Sequence, residues 1–191
     1  MRERTVISEP GPSTGRSAVA RFGWRATEGA QLLEFAFMLP LLLALLVGVV
    51  DFGAALVKRD KIANAAREGA RIAIVQSTLD LAQPNPLTVQ AIRNSVVSYL
   101  NGAGLPATLT GTAPCGTGLF SWTYCLTNGG RVQIERQFIV NVNGTLVLCS
   151  RVTVRYPHNW SIGAILKLLA PSSNLSNPIM IPVDATMKNL T

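Results

Sequence analysis

The chain has 191 residues, 48% of them apolar, with a net charge of +7, three cysteines and one histidine. Its basic residues are dispersed, only Lys58, Arg59 and Lys61 lying close together, which excludes a nucleic-acid surface built on clustered bases and fits a mildly basic face next to anionic lipid. A single histidine and the lack of any CxxC pair exclude a zinc site, and Asp80, Glu135 and Asp184 stand in no motif, so neither cofactor nor catalysis is expected.

Residues 1–29 hold five Arg and three Glu among Ser, Gly and Pro. They show no hydrophobic period and read as a basic, disordered leader. The apolar segment follows. Residues 35–50 carry no charge, and 30–50 as a helix span about 31 Å at roughly 1.5 Å per residue. That matches a bilayer core of about 30 Å, so 30–50 is expected to be a transmembrane helix embedded in lipid. Pro40 inside it removes one backbone donor and should loosen or kink the helix, which membrane helices tolerate.

The helical period continues over 51–77, so one helix of nearly fifty residues is expected, from about 28 to 76. Ala55, Ile62, Ala66, Gly69 and Ala73 recur at spacings of three, four or seven and form one stripe. Lys58, Asp60, Arg67 and Arg71 fall elsewhere. Ala66 and Gly69 suit close packing, because a mid-helix Gly costs roughly 1 kcal/mol against Ala and needs a compensating contact, within the chain or between subunits. "QPNPL" at 83–87 ends the pattern.

Residues 78–191 read as an α+β domain of helices and an antiparallel sheet, the sheet packed on the long helix that continues into it. A second helix is expected over 87–100, with Val89, Ile92, Val96 and Leu100 on one face and Arg93, Asn94 and Ser98 pointing away. "NGAG" at 101–104 stops it. The period then changes to two. In "RVQIERQFIV", Val132, Ile134, Phe138 and Val140 share a face, interrupted by Arg136. Asn143-Gly144 is a hairpin signal. In "TLVLCSRVTVRY", Leu146, Leu148, Val152, Val154 and Tyr156 face inward, and Cys149, Arg151, Thr153 and Arg155 outward. A short apolar helix is expected over 161–170, then a strand with Ile179, Ile181, Val183, Ala185 and Met187 on one side. Pro182 makes that strand an edge. His158, after a strand and a Pro, reads as a loop residue.

In an oxidising compartment two of the three cysteines would pair. Cys125 with Cys149 is preferred, since it would staple two strands; Cys115 with Cys125, a local loop, is the other pairing.

Glu34 stands at the mouth of the apolar run. A carboxylate there can be wetted by headgroups and meets the positive end of a helix dipole, worth roughly 0.3–1 kcal/mol. The run Gly29-Ala30-Gln31-Leu32-Leu33-Glu34-Phe35 also resembles the processing site of prepilin-like proteins of the tight-adherence type. The wider segment is similar to the TadE-like family of pseudopilins through Glu34-Phe35-Ala36, Leu39-Pro40-Leu41, Asp51-Phe52-Gly53 and "AAREGAR" at 65–71. "VTVRYP" at 152–157 and the closing "ATMK" are similar in outline. The leader length and the three cysteines depart from that pattern.

The resemblance implies cleavage after Gly29 by a prepilin peptidase on the cytoplasmic face, so that the chain begins at Ala30. It also implies a minor-pilin or pseudopilin role without catalysis. The implied partners are the peptidase, other pilins or pseudopilins, membrane lipid, and an assembly platform with its ATPase. It places the N-terminus in the cytoplasm and the C-terminal domain outside the inner membrane, or in a surface filament. Charge bias alone points the other way, with Arg21 and Arg25 before the span and Lys58, Arg59 and Lys61 after it. The rival readings are a signal-anchored binding domain that keeps Met1 and is never assembled, and an exported protein cut near Ala54 or Ala55.

Overall fold

Helix α1, Arg25–Val75, carries the whole apolar and small-residue segment as one element, with Pro40 inside it. The protein is described by a computed structural model over residues 25–161 and 178–189. Most of the leader expected at 1–29 and almost all of the helix expected at 161–170 lie outside those residues. Two compact units divide the chain, Met1–Leu42 and Leu43–Thr191.

In the second unit, helix α2 spans Leu87–Gly102. Five strands follow: β1 (Gly116–Gly118), β2 (Ser121–Cys125), β3 (Arg131–Val142), β4 (Thr145–His158) and β5 (Ile179–Lys188). They form one antiparallel meander in chain order. Pro182 therefore sits on an edge strand, where its missing N–H breaks no interior ladder. Asn143 and Gly144 make the two-residue turn between β3 and β4 with φ of 52° and 84°, the double positive φ such a hairpin turn requires.

The sheet meets both helices through Val132, Ile134, Val152 and Val154, with Ile62, Ala65, Ala66, Ala70 and Ala73 from α1 and Val89, Ile92, Val96 and Leu100 from α2. The alanines keep α1 close to the strands. β1 and β2 go beyond the expected elements, although Trp122 and Tyr124, both buried, alternate with Ser121 and Thr123 at period two.

Two basic residues depart from the expected pattern. Arg93 does not point away; it is buried, its guanidinium 4.8 Å from the Tyr124 ring centroid and Nη1 donating to the Thr112 carbonyl at 2.8 Å. Arg136 does not merely interrupt an alternation. The β3–β4 register shifts between Glu135 and Phe138, and Gln137 takes φ 57°. This bulge sets two β3 residues opposite one on β4 and reverses the faces beyond it. Arg136 thus stays inside, 2% exposed, with Nη2 donating 3.0 Å to the Gln76 carbonyl just past the end of α1. Phe138 goes to the face of Arg151, whose guanidinium lies 3.7 Å from the ring centroid.

Leu146 and Leu148, expected inward, are 68% and 44% exposed. They lie towards the hairpin tip, beyond the level of Arg136, where α1 has already ended and nothing among the described residues covers that face.

Candidate assembly segment

Gly29, Ala30, Glu34, Phe35 and Pro40 all lie exposed on the helix of the first unit. A Cβ added at Gly29 would meet nothing within 4 Å. Leu32, Leu33, Phe35, Phe37 and Met38 are each more than half exposed. A contiguous apolar surface of this kind needs lipid or another helix against it. Among the described residues this is the one helix long and apolar enough to cross a membrane, and it fits a single-pass anchor. Glu34 stands four residues from Ala30, about 6 Å by helical rise.

Ala66 and Gly69 lie in the second unit and are buried. A Cβ on Gly69 would come within 2.5 Å of Val96 Cγ2 and 3.2 Å of Val152 Cγ1. Gly69 thus lets α1 approach α2 and β4 at once, a contact made within the chain. On the outer side of the same turn Glu68 and Arg71 pair at 2.8 Å.

Sequence reasoning missed a charged cluster just after the span. Asp51 is 5% exposed, and His158, far from being a loop residue, ends β4 at 4% exposure. The His158 ring meets Trp160 edge-on at 4.9 Å, and neither ring nitrogen has a hydrogen-bond partner among the described residues. Burial pushes the imidazole below its ordinary pKa, the Lys58 charge pushes it further down, and Asp51 opposes them. Burial also lowers Lys58, whose ammonium lies 5.8 Å from the Tyr156 ring centroid. The one sequence signal for this placement is the period of two along β4, which puts His158 in phase with Val152, Val154 and Tyr156.

The disulfide joins Cys115 to Cys125, with Cα atoms 5.9 Å apart, and Cys149 is a buried free thiol. The preferred pairing of Cys125 with Cys149 does not form. Cys125 pairs across β3 with Arg131, which pairs with Arg155. Cys149 lies six residues further along β4, about 20 Å at roughly 3.3 Å per residue, far outside disulfide reach. Its side chain is nonetheless buried, because Phe138 and Lys188 lie opposite it on the flanking strands and contribute to its cover.

Asp80, which has no motif around it, caps α2. Its carboxylate accepts from the Thr88 N–H at 3.0 Å and from the Thr88 hydroxyl. Burial pushes its pKa up, but these bonds and the Arg136 charge outweigh that and leave it below the usual value. Among the described residues no group of three or more His, Cys, Asp or Glu is arranged to hold a metal.

A long apolar N-terminal helix that continues into a helix-and-meander domain defines a pilin-like α+β fold, and the helix fits a single-pass membrane anchor. Residues 29–71 match the family model described as TadE-like protein. The match covers the processing-site resemblance, the apolar run and Gly69. Neither the curated proteins nor the solved structures gave a match.

Proposed function

We propose that this chain is a TadE-like minor pilin or pseudopilin of a tight-adherence pilus or related secretion system. A prepilin peptidase cuts it after Gly29, so residues 1–29 are a removed leader and 30–50 the membrane span. Residues 51–75 extend the helix, and the chain from there to 191 forms the extracytoplasmic domain. The observation that carries this reading is the TadE-like match over 29–71, coincident with a helix that is apolar and bare at one end and packed at the other. The Cys115–Cys125 disulfide supports an extracytoplasmic domain, because such bonds persist in oxidising compartments.

Cleavage on the charged side of the apolar run keeps the span on the product and creates an ammonium at Ala30. In an assembled filament the Glu34 carboxylate of one subunit neutralises that ammonium on the next, and at low dielectric this sets the axial register. The bare apolar surface supplies lateral packing with other pilins, and the platform and its ATPase drive assembly. Glu34→Gln keeps the shape and removes the charge. The mature variant is expected to remain in the membrane yet lose most of its co-purification with the related pilins after crosslinking. Undiminished crosslinking in Glu34→Gln would overturn the register role.

A further inference from the structure

Arg131 and Arg155 are direct register partners on β3 and β4, and both are exposed. Directly opposed side chains start from Cβ atoms about 5 Å apart, and like charges so placed destabilise a sheet. Neither guanidinium makes a hydrogen bond or ion pair among the described residues. The neighbouring carboxylates do not answer them. Glu135 is taken by Arg151 at 3.7 Å and by the Gln133 amide at 3.0 Å. Asp184 pairs with Thr153, diagonal to Arg155 and within reach of a long side chain, yet forms no ion pair with it among the described residues.

The two arginines also line two adjoining clefts. One, of about 180 Å³, is lined also by Gly129 and Met180. The other, of about 70 Å³, adds Thr123, Gln133 and Thr153. Gly129, in the turn before β3, takes φ +84°, a conformation that favours glycine.

We propose that Arg131 and Arg155 form a binding site for a phosphate group, with the Thr123 and Thr153 hydroxyls as further hydrogen-bonding groups beside it. A guanidinium fork matches phosphate oxygens in bidentate fashion. A phosphomonoester carries about −1.5 to −2 charge near neutrality, enough to answer two cations where a carboxylate answers one. The ligand is a phosphate borne by a soluble or saccharide ester or by a lipid headgroup. This site is independent of processing at Gly29 and of assembly.

The test is calorimetric titration of the full chain in a non-ionic detergent at constant ionic strength, with inorganic phosphate, glycerol 3-phosphate and acetate. Saturable binding of both phosphates is expected, with acetate weaker by about tenfold or more. Arg131→Gln and Arg155→Gln should each weaken phosphate by about tenfold, the loss of one charge-assisted contact. Each should also hold or raise Tm in phosphate-free buffer, since it removes a repulsion. Competition by phosphatidic acid in nanodiscs, against phosphatidylcholine alone, would assign the phosphate to a headgroup; its failure would assign it to a soluble ester. No saturable phosphate binding, equal affinity for acetate, or unchanged affinity in the double variant would each overturn the site.

Discussion

His158 shows how one buried ring couples the fold to pH. Its folded pKa is held below the ordinary value by burial and by Lys58, against the pull of Asp51. The unfolded chain therefore takes up the proton more readily than the folded one. The stability contributed by the neutral ring is complete above the unfolded pKa of about 6.5 and is lost as pH falls from there through the lowered folded value. Each tenfold difference in proton affinity between the two states is worth about 1.4 kcal/mol. Asp80 loses its contribution only below about pH 4, so the two windows separate. Melting of the full chain should drop between about pH 7 and 5, and His158→Phe should flatten that drop. An equal drop in the variant would contradict the assignment. At this scale the sequence was least legible. Arg93 and Arg136 carry nothing that marks them as buried; the Tyr124 face and the Gln76 carbonyl that receive them come from distant parts of the chain.

At the scale of elements, periodicity carried most of the fold. It found α1, α2, the β3–β4 hairpin and the edge strand β5, because each has a sustained period of 3.6 or 2. It lost the phase of β3 after Glu135, since a bulge whose positive φ falls on Gln137 rather than Gly leaves no mark. Gly69 was legible as a packing residue, but its partners Val96 and Val152 were not. Its closeness makes a sharp prediction. Gly69→Leu should destabilise the domain by about 2 kcal/mol or more, since the β-branched neighbours Val96 and Val152 are stiff and the site overpacks. Gly53 has open space around it, and Gly53→Ala should stabilise by up to about 1 kcal/mol through helix propensity. Denaturant unfolding in detergent reads both, and destabilisation by Gly53→Ala with none by Gly69→Leu would reverse the account of where α1 packs.

Across the whole molecule, one helix joins two physical tasks. Its residues 29–50 present apolar surface with a single carboxylate at Glu34, and its later residues bury small side chains against a sheet. This division was readable from sequence, because a charge-free run and a small-residue stripe are both local patterns. The disulfide partner was not, since pairing depends on register across three strands. The TadE-like reading requires that the chain reach its working form by losing the leader. The most direct measurement is the N-terminus and intact mass of membrane-extracted protein from cells with and without their prepilin peptidase. The account predicts a chain beginning at Ala30 only when the peptidase is present, and an uncut chain for Gly29→Arg. A chain that begins at Met1 in both cells would contradict it and leave an anchored domain whose Glu34 is an interfacial acid.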